Sequence, residues 1–218
     1  MYKYIKRIND FIIALFGIIV LSPLFLMLIL AVKFDSRGPI LFVQKRIGLK
    51  KKHFNILKFR TMSIDTPKDT PTHLLENPEQ YITKVGKFLR KTSLDELPQI
   101  INIIKGEMSI IGPRPALWNQ YDLIEERDKY CANDILPGLT GWAQIKGRDE
   151  LLIPDKARLD GEYVNRISFL FDCRCFFGTI IYIVKHEGVV EGGTGALKKL
   201  MSESAVTDEK AQEENVTL

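Results

Sequence analysis

From Phe11 to Val32 the chain runs through 22 residues, FIIALFGIIVLSPLFLMLILAV, without a single charge. About 20 apolar residues suffice to cross a bilayer as a helix, so this run reads as a membrane segment. No small-residue cleavage site follows it, and charges from Lys33 to Arg37 come next. It is therefore expected to stay in the mature protein rather than leave as a secretory signal. Ser22-Pro23 sits near its middle, where proline removes a backbone donor and clashes with the preceding turn. The helix should break there. Both flanks are basic, with Lys3, Lys6 and Arg7 before and Lys33, Arg37, Lys45 and Arg46 after. Cations on both sides favour the cytoplasmic face for both ends, which a straight crossing cannot satisfy. A re-entrant helix that enters, turns at Ser22 and Pro23 and returns satisfies it; the alternative is an ordinary transmembrane helix containing a proline.

The remaining sequence suits one domain. Of 218 residues 45% are hydrophobic, enough for a core of moderate size. The net charge of +4 hides two blocks: residues 1–60 carry twelve Lys or Arg against only Asp10 and Asp35, while 202–218 is mostly acidic. Clustered cations attract anionic lipids and nucleotides alike. Three cysteines, Cys131, Cys173 and Cys175, neither pair off nor complete a zinc site. A reduced compartment without structural metal follows.

Residues 39–46 and 54–60 read as two strands joined by a turn over 48–52, and 63–78 as a surface loop. Leu97, Ile100, Ile101 and Ile104 recur at helical spacing before Gly106, and further helices are expected at Trp118–Tyr130 and Asp155–Asn165. Phe169–Lys185 is too short to cross and should lie in the interface or the core. The polar stretch Leu197–Leu218 should be a mobile tail. The expected class is α+β, with a re-entrant amino-terminal helix (1–36), a mostly helical domain with one short β-hairpin and interfacial amphipathic helices (37–196), and the tail (197–218).

Within this frame one pair of acids stands out. Asp95 and Glu96 lie in RKTSLDELPQ, where an apolar helix begins beside cations. Ser93 and Glu96 have capping-box spacing; alternatively the helix starts at Asp95, which puts Pro98 among first-turn residues without amide partners. Either register sets Asp95 at the positive end of a helix. Lys58, Arg60, Arg90, Lys91, Arg114 and Arg148 all fall in or beside loop and turn signals, where binding groups are commonly presented. Arg114 stands between Pro113 and Pro115, which hold its backbone extended and present it stiffly, as a bidentate phosphate ligand requires. The stretch Pro137–Gln144 reads as a flexible loop in which Trp142 and Gln144 offer an aromatic face and an amide edge to a nucleobase. Core or membrane-interface packing is the other reading of Trp142.

These motifs in this order resemble the monotopic phosphoglycosyl transferases, also called bacterial sugar transferases. The resemblance runs from about Lys6 to Gly188 through the Ser22-Pro23 break, FVQKRIG (42–48), KFRTM (58–62), Thr92–Gln99, GPRP (112–115), Pro137–Gln144 and Gly147-Arg148. It implies the small catalytic form without further amino-terminal helices. It also implies transfer of a sugar 1-phosphate from a UDP-sugar to polyprenyl (undecaprenyl) phosphate, with UMP released and Mg2+ as cofactor. By the same resemblance Asp95 is the nucleophile that forms an aspartyl-phosphosugar. Asp95 or Glu96 holds the metal, or Glu96 assists the lipid phosphate. Lys58, Arg60, Arg90, Arg114 and Arg148 bind phosphate, and Trp142 and Gln144 the nucleotide. The implied partners are membrane lipids and later glycosyltransferases of a capsule, O-antigen or glycoprotein glycan pathway, with no nucleic acid. The implied place is the bacterial inner membrane, with the domain facing the cytoplasm. Residues 82–87 and 112–120 lean toward an N-acetylated 6-deoxyhexosamine donor, while Asp149 stands where many relatives carry Asn and bears on donor contacts. A non-catalytic, membrane-anchored adaptor of a glycan assembly complex is the rival reading.

Overall fold

A computed structural model describes residues 2–66, 78–147 and 151–185. Arg148, Asp149, most of the loop expected at 63–78 and the expected tail lie outside the described residues. Two helices open the chain, α1 (Tyr2–Val20) and α2 (Ser22–Asp35), and their axes bend by 65° across Leu21. Pro23 stands in the first turn of α2, where its missing amide removes no helical bond. Among the described residues no single helix is long and apolar enough to cross a membrane, and this bent pair alone passes together by length and composition.

The helix pair is amphipathic in an unusual sense, because its inner face belongs to the core of the domain. Ala14 of α1 packs with Ile56, Ile100, Ile103 and Met108, while Leu28 and Val32 of α2 pack with Phe59 and Leu89. Phe11, Ile12, Phe16 and Ile19 on α1, with Leu26, Met27, Leu30 and Phe34 on α2, remain exposed. Helix α1 also begins nine residues ahead of the apolar run, and there the flank charges are not all flank charges. Lys6 and Asp10 lie one turn apart on the inner face and are buried. Lys6 pairs with Asp172 at 2.9 Å, Asp10 accepts from Ser109 Oγ at 2.6 Å, and Arg7 donates to the carbonyls of Ile103 and Ile104. Lys6 and Arg7 thus fasten the helix to the domain, which leaves Lys3 exposed on that flank.

After α2 comes the expected hairpin, β1 (Leu41–Ile47) antiparallel to β2 (His53–Phe59), with Phe42 opposite Lys58 and Arg46 opposite Phe54. Helix α3 (Lys84–Thr92) is capped by Thr83, whose Oγ1 accepts from Gly86 N at 2.9 Å. Gly86 crosses so close to Thr61 that a Cβ there would stand 2.1 Å from the Thr61 carbonyl oxygen, which sets α3 directly against the end of β2. A 3-10 turn (Leu94–Glu96) leads through Pro98 into α4 (Gln99–Lys105), ended by Gly106 at φ +87°.

The second half adds an unexpected pair of parallel strands, β3 (Ser109–Ile111) and β4 (Gly138–Thr140). The helix expected at Trp118–Tyr130 is shorter, α5 (Tyr121–Asp128), because Ala116 and Leu117 give their backbone to β1: Ile47 N donates to Ala116 O at 3.0 Å. The stretch read as a flexible loop is instead β4 followed by α6 (Trp142–Lys146). Helix α7 (Ile153–Arg166) and helix α8 (Phe169–Lys185) close the fold. One face of α8 buries Phe171 and Cys175 with Trp142 and Tyr163, while Phe169, Leu170, Phe177 and Ile181 stay exposed. The molecule is mostly helical with few strands.

Candidate active site

The acid pair lies where β2, α3, the 3-10 turn and the loop after β3 meet. Neither helix register read from the sequence describes it. Ser93 adopts φ +56° and closes α3, its amide donating to the Arg90 carbonyl, and its side chain caps nothing. Because Pro98 cannot donate and crowds the turn before it, the chain coils through 3-10 bonds, from Glu96 N to Ser93 O and Leu97 N to Leu94 O, before α4 begins. Ser93 and Glu96 therefore do not form a capping box.

Glu96 is buried and holds two cations. Lys58 Nζ donates to its Oε1 at 2.8 Å, and Arg114 donates Nη2 to Oε1 at 2.6 Å and Nη1 to Oε2 at 3.2 Å. The Arg114 loop is as stiff as its prolines suggest. Pro113 O accepts from Gly138 N at 2.8 Å and Pro115 O from Arg46 Nη1 at 3.0 Å, so both sides of the arginine are pinned. Behind it Gly141 approaches so closely that a Cβ would stand 2.1 Å from Gly112 O. Arg90 donates Nε to Thr61 Oγ1 at 2.9 Å, from the end of β2.

Asp95, its immediate neighbour, differs. It is half-buried, and among the described residues no group hydrogen-bonds to its carboxylate. Burial pushes its carboxyl above the ordinary carboxylate range; Lys58 opposes this, the Glu96 charge adds to it, and Arg114 and Arg90 oppose it further. Burial likewise pushes the Lys58 ammonium down, with Glu96 holding it up. The structure thus unites Asp95, Glu96, Lys58, Arg90 and Arg114.

The other sequence candidates lie elsewhere. Arg60 is buried and gives its guanidinium to the carbonyls of Ser36 and Arg37, so it fastens the end of α2 and does not join the acid pair. Trp142 is a core residue, packed on Phe171 at 4.9 Å between ring centroids, with Lys146 and Arg174 against its ring and Nε1 bonded to Glu162. Gln144 is buried beside Gly141, and among the described residues neither end of its amide has a hydrogen-bond partner. Sequence reasoning overlooked Arg46, counted only as a flank charge. It bonds Gln44 Oε1 at 2.7 Å and the Pro115 carbonyl, and the signal was its two-residue spacing from Gln44 on one strand face.

A family model described as bacterial sugar transferase matches residues 1–186. The chain belongs to the bacterial sugar transferase family. It is 38% identical to the undecaprenyl-phosphate glucose phosphotransferase of Komagataeibacter xylinus, over 80% of this chain and 35% of that one. It is 39% identical to the UDP-glucose:undecaprenyl-phosphate glucose-1-phosphate transferase of Escherichia coli K12, over 82% of this chain and 40% of that one. Against the uncharacterized sugar transferase EpsL of Bacillus subtilis it is 37% identical, over 85% of this chain and 90% of that one. This bacterial sugar transferase therefore spans well under half of the first two relatives and nearly all of the third.

Magnesium, the metal implied by the resemblance, takes oxygen ligands and is commonly held by one or two carboxylates together with phosphate and water. No cluster of three or more His, Cys, Asp or Glu occurs among the described residues of the transferase. The carboxylates of Asp95, which accepts no hydrogen bond among the described residues, and of Glu96 are oxygen donors of the kind such an ion uses.

Proposed function

We propose that the protein transfers a sugar 1-phosphate from a UDP-sugar to polyprenyl phosphate in two displacements, with Asp95 as nucleophile. The observation that carries this is the contrast within the acid pair: Glu96 is engaged by Lys58 and Arg114, while Asp95 is desolvated, without a hydrogen bond among the described residues, and among the same cations. A carboxylate kept so is basic and poorly solvated, which favours attack. A carboxylate oxygen of Asp95 bonds to the sugar-proximal phosphorus, the bond from that phosphorus to the bridging oxygen breaks, and UMP leaves with its electron pair. The polyprenyl phosphate oxygen then attacks the same phosphorus and restores the Asp95 carboxylate. Polyprenyl diphosphate sugar results.

Arg114, from the loop after β3, and Arg90, from the last turn of α3, are held by separate anchors and placed to neutralise the donor phosphates. Lys58 and Glu96 set the charge around the nucleophile. Asp95 and Glu96 would hold Mg2+, which when bound neutralises phosphate oxygens. Gln144 supports the nucleotide through its unbonded amide, with Trp142 packing behind it rather than stacking on a base, and Arg148 completes the phosphate ligands. The bent pair α1–α2, with its exposed apolar outer face and the exposed face of α8, supports a re-entrant, monotopic seat in the cytoplasmic membrane. The active site then lies where a lipid phosphate and a cytosolic nucleotide meet.

The test uses purified full chain in lipid nanodiscs with a panel of UDP-sugars and no acceptor. We expect a burst of about one UMP per active enzyme and a gain of one sugar phosphate mapped to Asp95. The N-acetylated 6-deoxyhexosamine donor is expected to give the largest burst. Turnover with acceptor but no burst would replace the covalent route by direct transfer, and no release with any donor and acceptor would leave the adaptor reading.

A further inference from the structure

Among the described residues the sheet near the site has two strands, and no strand lies beside the outer edge of β2. An unpaired edge is free to fray and to slip. Here one side chain occupies it. Asn102, in the middle of α4 and fully buried, accepts from Leu57 N at 3.1 Å and donates to Asn55 O at 2.8 Å. Those are the two groups that a neighbouring strand would engage, two residues apart on one edge. The second amide hydrogen goes to Glu107 Oε2 at 2.7 Å. Reversing the amide would set donor against donor at Leu57 and acceptor against acceptors at Asn55 and Glu107, so Glu107 fixes its sense. Main-chain bonds from Glu107 N and Met108 N to Asn102 O hold the pair together.

A polar side chain in this position is not needed for packing. Ile100 and Ile103 of the same helix already supply the apolar packing against Ile56 and Met108, whereas an apolar residue in place of Asn102 would leave Leu57 N and Asn55 O without these bonds. What the amide supplies is registration. Leu57 precedes Lys58, and Asn102 lies on α4, which follows the 3-10 turn carrying Glu96, so this clip connects the strand carrying the cation to the helix just after the acid. We infer that Asn102, oriented by Glu107, is a positioning residue that sets the Lys58–Glu96 contact and through it the charge around Asp95. Arg7 of α1 fixes the last turn of the same helix through the Ile103 and Ile104 carbonyls. The acid-bearing segment is thus held from the strand on one side and from the anchor on the other.

The test has a geometric and a kinetic arm, both on full chain in nanodiscs below the melting temperature. In the first, a carbodiimide converts touching Lys–carboxylate pairs to amides, read by mass spectrometry. We expect Asn102→Ala to reduce the Lys58–Glu96 product several-fold, while Lys51–Asp128, an exposed pair at 2.9 Å, is unchanged. In the second, which rests on the transfer reading above, kcat per burst-titrated site should fall on the order of 10²-fold, with KM for the UDP-sugar within about twofold. Glu107→Ala should show a milder form of both effects. Glu107→Gln, whose amide oxygen still accepts, should restore them. Unchanged cross-linking and unchanged kcat per site, with only a lower melting temperature, would reduce Asn102 to a structural role and overturn the proposal. Loss of the cross-link in a protein whose wild type releases no UMP would uphold the positioning and sink the transfer reading instead.

Discussion

Two of the groupings of acids and cations in this molecule, one in the seam between α1 and α8 and one around the acid pair, are built on opposite terms. In the seam between α1 and α8, every acid is engaged: Asp10 accepts from Ser109, and Asp172 takes Lys6 at 2.9 Å, Tyr2 at 2.6 Å and Tyr163 at 2.7 Å. In the other, Glu96 is engaged as fully, but Asp95 beside it is left without a hydrogen bond among the described residues. Burying a carboxylate without partners opposes folding, and packing alone gives no reason to keep one. On the reading proposed above, the difference separates a fastening from a working group.

The most direct way to break this comparison is to neutralise each type of acid. Asp95→Asn should lower turnover by at least about 10³-fold, since an amide cannot form the acyl phosphate. Its melting temperature at neutral pH should hold or rise, because the substitution removes a desolvated charge. Lys6→Met should do the opposite. Removing one partner of a buried ion pair typically costs about 3–5 kcal/mol, here by stranding Asp10 and Asp172, while kcat per correctly folded molecule should stay near wild type. Thermal melts beside burst-titrated rates decide it, and a large stability loss in Asp95→Asn would erase the contrast.

The pH dependence sharpens the same point with smaller effects. Asp95 is raised above its ordinary value of 3.8, so the acid limb of the burst rate should lie above that value, with activity lost as pH falls through the raised pKa. The stability sign is the reverse. The folded chain holds this proton more tightly than the unfolded chain, so the contribution of Asp95 to stability is greatest below 3.8 and declines as pH rises through the raised pKa. Asp95→Asn should lack that decline. Arg114→Met, which removes a cation that holds the Asp95 pKa down, should move the acid limb of any residual activity further up; no movement would show that Arg114 does not act on Asp95.

How far the sequence revealed each cluster follows from the distances along the chain that each one closes. The grouping around the acid pair was legible because its motif is local: Asp95 and Glu96 are adjacent, and prolines flanking Arg114 announce a stiff presentation wherever the chain goes. The hairpin with Lys58 was legible from alternation and turn residues. The fastening was not, since Lys6 and Asp172 are 166 positions apart and Lys6 looks locally like any cation before a membrane helix. Asn102 was hidden for the same reason, a polar residue within an apolar helix whose partners lie on a strand 45 and 47 residues earlier. The loop expected at Pro137–Gln144 erred in the other direction. Glycines on both sides of Leu139-Thr140 suggested a flexible loop, but at Gly138 and Gly141 they let β4 and α6 press against Gly112, which draws the tryptophan into the core.

That placement yields the smallest expected effect, and it tests where the working cluster ends. Glu162 accepts from Trp142 Nε1 at 2.9 Å, and this bond, more than the neighbouring Arg166, holds its carboxyl below the ordinary value of 4.5. A lowered acid stabilises the fold above 4.5, and that contribution fades as pH drops through the lowered pKa. Glu162→Gln should therefore lower stability slightly at neutral pH, by no more than about 1 kcal/mol for one such bond, read as a small fall in melting temperature, and the deficit should vanish in acid. Trp142→Phe should destabilise further through lost core volume while leaving KM for the UDP-sugar within about twofold, since the ring is packed on Phe171 rather than presented to a base. A KM raised tenfold in Trp142→Phe with little change in stability would return the indole to the nucleotide site and redraw the boundary between the two regions.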